Sequence, residues 1–210
     1  VFDLTPELVP LAGGGDVRVV AQHGDNNVGP YTYRYTVDLR FSARPDGLRP
    51  VGLETLIPRG NYGWNEGFHD QWSTFAFTPP PGTTRVELSA RISGHGMAGD
   101  TNCAEFCTFT HQFTVNGTPF AHTYLTEPAV HRCAAMVDQG VTPNQGGTWF
   151  YDRSSWCPGF GIEEWREDLT VAVDLDGGEN EILYESGLGD APGSPGGGNM
   201  DMRVELVYFQ

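Results

Sequence analysis

Arg85-Val86-Glu87-Leu88-Ser89-Ala90-Arg91-Ile92 alternates strictly, with Val86, Leu88, Ala90 and Ile92 on one face and Arg85, Glu87, Ser89 and Arg91 on the other. Successive Cβ atoms of a strand point to opposite faces, so a period of two predicts a β-strand. The pattern recurs along the chain. Tyr31, Tyr33, Tyr35, Val37, Leu39 and Phe41 alternate with Thr32, Arg34, Thr36, Asp38 and Arg40, which predicts a strand over 31–41 with one wet face. Phe109, His111, Phe113 and Val115 predict another, as do Leu169, Val171, Val173 and Leu175, then Met202, Val204, Leu206 and Tyr208. Turn residues separate these runs at Pro45-Asp46-Gly47, Pro79-Pro80-Pro81-Gly82, Asn116-Gly117 and Asp176-Gly177-Gly178. Asn116-Gly117 predicts a tight hairpin, because both residues tolerate positive φ. No segment holds a helical period over three turns, and 186–199 predicts a flexible loop before the last strand. The reading is an all-β, antiparallel jelly-roll sandwich.

Composition agrees with a packed β domain. The 210 residues are 39% hydrophobic and 12% aromatic, enough for a sizeable core. The formal net charge is −15, and all twelve basic residues are arginine. Such a surface repels phosphate backbones and anionic lipids, which argues against nucleic-acid and membrane partners. No stretch is long and apolar enough for a membrane span. The four cysteines fall as two close sets, Cys103 with Cys107 and Cys133 with Cys157. An even count is compatible with disulfides or a metal. The spacing lacks the Cys-x-x-Cys and paired His of a zinc ribbon, so two disulfides and an oxidising, secreted or periplasmic setting are the better reading. Val1 reads as a processed or truncated start.

Three segments, in order, then stand out: Ile92-Ser93-Gly94-His95-Gly96-Met97; Cys103-Ala104-Glu105-Phe106-Cys107 followed by Thr110-His111; and Asp152-Arg153-Ser154-Ser155-Trp156-Cys157-Pro158-Gly159. In order, spacing and cysteine pattern they resemble the C-terminal jelly roll of the peptide-N-glycosidase F family, over about residues 85–160. Members pair two jelly rolls and hydrolyse the Asn side-chain amide of N-linked glycans. The resemblance implies the disulfides Cys103–Cys107 and Cys133–Cys157. It also implies that residues 1–44 are the terminal strands of an otherwise missing N-terminal jelly roll, with 45–210 forming the C-terminal one. A missing segment or a neighbouring chain would complete that first sheet by strand addition.

The resemblance assigns Glu105 to the catalytic cleft, to orient water or bind glycan. Arg153 and Trp156 match residues that bind and stack on sugar, and Phe106 and His95 fall beside them. The bland alternatives are a solvated loop acid for Glu105 and packing against the Cys133–Cys157 bridge for Trp156. Departures from the family also count. His95-Gly96-Met97 replaces Trp-Gly-His, Phe106 replaces a tryptophan, and the family's second glutamate falls at Gln22, which cannot accept a proton. The family's essential aspartate lies in the part that this chain lacks. The implied function is a secreted peptide-N-glycosidase F-like domain with an incomplete catalytic set, whose partner is an N-glycan or glycoprotein. One alternative is a non-catalytic glycan-binding or extracellular assembly module; another is a copper-binding, monooxygenase-like protein.

No cofactor is implied, with one weaker exception. The fold is shared with copper- and ascorbate-dependent monooxygenases, and His95 with Met97 two residues on, joined by His111 or His122, is a soft ligand set. Ordinary packing explains the same residues. Asp174, Asp176, Glu179 and Glu181 hint at calcium, but a hairpin turn accounts for them. Asn116-Gly117-Thr118 matches a glycosylation sequon in a turn too tight to favour modification.

Overall fold

A computed structural model of the chain describes residues 4–12, 14–16, 18, 36–41, 47–65, 67–72, 74–96, 103–124, 132–143, 147–188 and 197–210; the side chain of Cys103 is outside that description. Among the described residues eight strands form: β1 Pro50–Gly63, β2 Phe75–Phe77, β3 Arg85–His95, β4 Phe109–Val115, β5 Thr118–Tyr124, β6 Glu164–Asp168, β7 Asn180–Leu188 and β8 Asn199–Phe209. They make two four-stranded sheets, ordered β1-β8-β3-β6 and β2-β7-β4-β5, with every pairing antiparallel. The chain changes sheet at every connection except β4–β5, which is the jelly-roll path expected from the sequence.

The alternating faces explain the layers. Val86, Leu88, Ala90 and Ile92 of β3 and Met202, Val204 and Leu206 of β8 point inward from the first sheet. Phe109, Phe113 and Val115 of β4 and Ile182 and Tyr184 of β7 meet them from the second. Trp64, fully buried, packs edge-on to Phe109 at 4.5 Å between ring centroids and donates its indole N–H to Ser186 Oγ at 3.2 Å. A buried indole without an acceptor would be destabilising, so Ser186 is part of the core's construction.

The outer face of the first sheet is drier than its polar alternation suggests. Glu87, Ser89 and Glu205 are buried there. Arg85–Glu87 at 2.7 Å, Arg91–Glu164 at 3.0 Å and Arg203–Glu205 at 2.7 Å cover it with ion pairs. A short turn at residues 5–11 packs beside β1, and its Glu7 reaches Arg203 at 2.8 Å.

Three local expectations come out differently. Residues 36–41 adopt no strand, and Val37, Leu39 and Phe41 stand exposed at 55, 50 and 74%. An alternating segment becomes a strand only where a neighbour supplies its ladder; residues 31–35 lie outside the described residues. Leu169–Leu175 is not a strand either. Asp168 Oδ1 accepts from Thr170 N at 3.0 Å at the start of a 3-10 turn that Ala172 N closes by donating to the Leu169 carbonyl at 2.9 Å, leaving Val171 exposed. Such local side-chain-to-backbone bonds compete directly with sheet ladders. β7 runs through Leu188, into the expected loop, whose residues 189–196 are not described. Finally, β1 had no alternation to reveal it. Its pairing with β8 shifts register three times, and each bulge exchanges the faces.

Asn116-Gly117 does form the hairpin between β4 and β5, with φ of +47° and +84°. These values suit a type I′ turn.

Candidate functional site

The site is assembled where β3 ends. Gly94 decides its closeness: a Cβ there would lie 1.6 Å from the Ala104 carbonyl oxygen, so only glycine lets the helical turn Cys103–Phe106 rest on the strand. The segment 153–156 is stitched to both. Ser154 N donates to the Glu105 carbonyl at 2.9 Å, Ser155 Oγ donates to the Ile92 carbonyl, and Trp156 Nε1 donates to the Gly94 carbonyl at 2.9 Å. Ser155 takes a left-handed φ of +68° to make this turn.

The centre of this assembly is one carboxylate. Glu105 Oε1 accepts from Arg153 Nε at 2.7 Å and Oε2 accepts from Gly96 N–H at 3.1 Å. The Arg153 side chain is fully buried, whereas that of Glu105 is 15% exposed. The remaining guanidinium nitrogens donate to the carbonyls of Trp149 and Tyr151 and to Thr148 Oγ1. Its carbon lies 5.1 Å from the Phe106 ring centroid and 4.9 Å from that of Trp156. Arg153 is thus positioned as the holder of Glu105, with its donors already engaged by protein.

His95 lies beside this pair. Its ring sits 4.8 Å from Trp156, tilted by 34°. Its Nε2 is 2.8 Å from Ser93 Oγ and 3.6 Å from Asp201 Oδ2. Serine and acid meet the same nitrogen, so the three do not form a nucleophile–base–acid relay, which needs both ring nitrogens. Asp201, itself an acceptor from Asn61, was not singled out in the sequence, because only the β3–β8 register brings it near residues 106 to 108 positions earlier. Glu105, Phe106, Arg153, Trp156 and His95 therefore come together.

The copper candidates do not. His111 is wholly buried in the second sheet, with Nδ1 2.8 Å from Tyr184 Oη and its ring stacked on Tyr184 and Phe109. Burial lowers its pKa from 6.5 to about 3, with a further push from His122. His95 shares none of these contacts, and Met97 lies outside the described residues, as does Gln22. Among the described residues no group of three or more His, Cys, Asp or Glu side chains converges as a metal would require. His95 and His111 thus make no hydrogen bond or ring contact with each other.

Cys133 and Cys157 are bonded to each other across 24 positions. Cys107 is also disulfide-bonded; the side chain of its expected partner, Cys103, is outside the description. No described helix is long and apolar enough to cross a membrane.

The sequence profile of the family described as peptide-N-glycosidase F, C terminal, matches residues 63–204, well over half of the chain. The chain belongs to this family. Solved structures agree on the fold. The peptide-N(4)-(N-acetyl-β-D-glucosaminyl)asparagine amidase crystal structure superposes with a TM-score of 0.54 at 20% identity, over 75% of this chain and 51% of that one. PNGase F of Flavobacterium meningosepticum, a glycosylasparaginase, gives 0.52 at 20% identity, over 75% and 51%. The chain spans about half the length of these structures. No curated protein sequence matches it. Membership in the peptide-N-glycosidase F family relates the domain to enzymes that act on N-glycan linkages.

Proposed function

We propose that this domain is the glycan-binding half of a peptide-N-glycosidase F-type protein, and that it binds N-glycans without hydrolysing them on its own. The observation that carries this reading is the double engagement of Glu105 by Arg153 Nε and Gly96 N–H. A carboxylate held at both oxygens is fixed in direction and still keeps lone pairs for sugar hydroxyls. Beside it, the tilted His95–Trp156 pair offers aromatic surface to the apolar C–H face of a sugar ring. Amide hydrolysis further needs a group to activate water, and both oxygens of Glu105 are already engaged by Arg153 Nε and Gly96 N–H.

The bonded cysteines support a secreted or periplasmic setting. The apolar side chains exposed at Val37, Leu39 and Phe41 support a partner that adds strands there, either a preceding segment or a neighbouring chain.

Incubation of the chain with a denatured N-glycoprotein tests the reading. Glycoprotein capture without glycan release, and without the mass change of Asn to Asp, is expected. Absence of any glycan-dependent capture sinks the proposal, and release by the chain alone sinks its non-catalytic half.

A further inference from the structure

Trp156 and Ser155 also line a second concavity, one that excludes Glu105, Arg153 and His95. Its volume is about 420 Å³, inside the range of roughly 300–1,000 Å³ usual for ligand pockets. Met136, Phe160 and Ile162 add apolar wall, while Arg132, Gln139 and Glu163 supply the polar edge. Phe160 and Ile162 are partly exposed, at 40 and 37%.

The walls are tied to one another. The Cys133–Cys157 bridge joins the segment bearing Arg132 and Met136 to the segment bearing Trp156 and Phe160. Thr142 N donates to the Pro158 carbonyl at 2.7 Å, and Glu163 N to the Ser155 carbonyl at 2.9 Å. Cys133, Cys157 and Val141 form a small core of their own, against which Met136 and Trp149 pack. A concavity held this way needs little ordering when a ligand enters.

Its charges select the ligand class. Glu164 Oε1 already takes Ser89 Oγ, Arg91 and Arg166. Glu163 is shared between Arg132 at 3.3 Å and His122 at 3.9 Å. Arg132, the single cation among the described lining residues, is thus paired, on a chain of net charge −15. Anionic ligands are disfavoured there, and the acids are largely neutralised by their own partners. What remains is aromatic and aliphatic wall with hydrogen-bonding groups at the edge, which suits a neutral, polyhydroxylated ligand with apolar faces.

We propose that this groove is a distal sugar subsite, which takes a unit of the N-glycan beyond those lying at Glu105, with Trp156 as the shared wall. The inference rests on the glycan-binding reading above. Calorimetric titration of the whole chain with two probes, N,N′-diacetylchitobiose and a free oligomannose N-glycan, separates the two ideas. Phe160→Ala is expected to weaken oligomannose binding about tenfold and to leave the disaccharide within about twofold. Gln139→Ala, at an exposed position, should act in the same direction, while Glu105→Gln weakens both probes. Circular dichroism confirms that each variant keeps the sandwich. If Phe160→Ala and Gln139→Ala leave oligomannose binding unchanged while Glu105→Gln weakens it, the groove is not a subsite and the glycan reading stands. Equal weakening of both probes by Phe160→Ala overturns the distal assignment. Wild-type protein that binds neither saccharide overturns both proposals.

Discussion

Arg153 Nε and Glu105 Oε1 meet at 2.7 Å across 48 positions of sequence, with the guanidinium fully buried and the carboxylate at the edge of solvent. The asymmetry makes the two partners unequal. Glu105→Gln leaves a buried cation without its counter-charge, which is expected to destabilise by roughly 3–5 kcal/mol. Arg153→Met leaves an acid that water can reach, and should destabilise less. Urea unfolding of both variants checks the order; a Glu105→Gln change below about 1 kcal/mol would show that the pair adds little.

His111 predicts an acid-sensitive core. Its folded pKa, near 3, lies below the unfolded value of 6.5, so the unfolded chain takes up the proton first as pH falls. The stability that neutral His111 contributes is present above pH 6.5 and is lost progressively between pH 6.5 and about 3. The slope is at most about 1.4 kcal/mol per pH unit. Thermal melts across this window should flatten in His111→Phe, and an unchanged acid limb would assign the effect to other groups.

Gly94→Ala should be far more damaging than its single methyl suggests. The new Cβ would collide with the Ala104 carbonyl oxygen, which is backbone and cannot rotate away. Destabilisation at or above the upper end of the roughly 1–3 kcal/mol usual for overpacking is expected, together with loss of glycan capture. Chemical denaturation measures the first effect and pull-down with glycoprotein the second. A variant with wild-type values for both would mean that the turn does not sit against the strand.

Reduction of Cys133–Cys157 frees a loop of 24 positions, and the double variant Cys133→Ser, Cys157→Ser is expected to lose roughly 3–4 kcal/mol. Proteolysis should then begin in the 134–156 segment while the strands stay protected. Cleavage that starts in the strands instead would place the bridge inside the cooperative core.

Legibility from sequence followed the physics of each element. β3, β4 and β8 announced themselves because each is regular and keeps one face in the core throughout. β1 was hidden by its register shifts, which break the period of two that a reader looks for. Leu169–Leu175 misled because its alternation was sound but Asp168 offered Thr170 a shorter-range partner. In the site, family resemblance grouped Glu105, Arg153, Trp156, Phe106 and His95. That Arg153 would spend its donors on protein was not visible, since its carbonyl partners at Trp149 and Tyr151 carry no side-chain signature. Nor was the role of Asp201, which depends on the pairing of two distant strands.

The placement of β8 between β1 and β3 has a consequence for how the protein is made. Of the eight strands it is the last to leave the ribosome, yet it supplies the interior ladder of its sheet. Until it arrives, β1 and β3 each present an unpaired edge, the condition in which nascent chains associate wrongly. The first sheet can therefore close only after translation has passed residue 209, whereas β4 and β5 can pair as soon as their hairpin emerges.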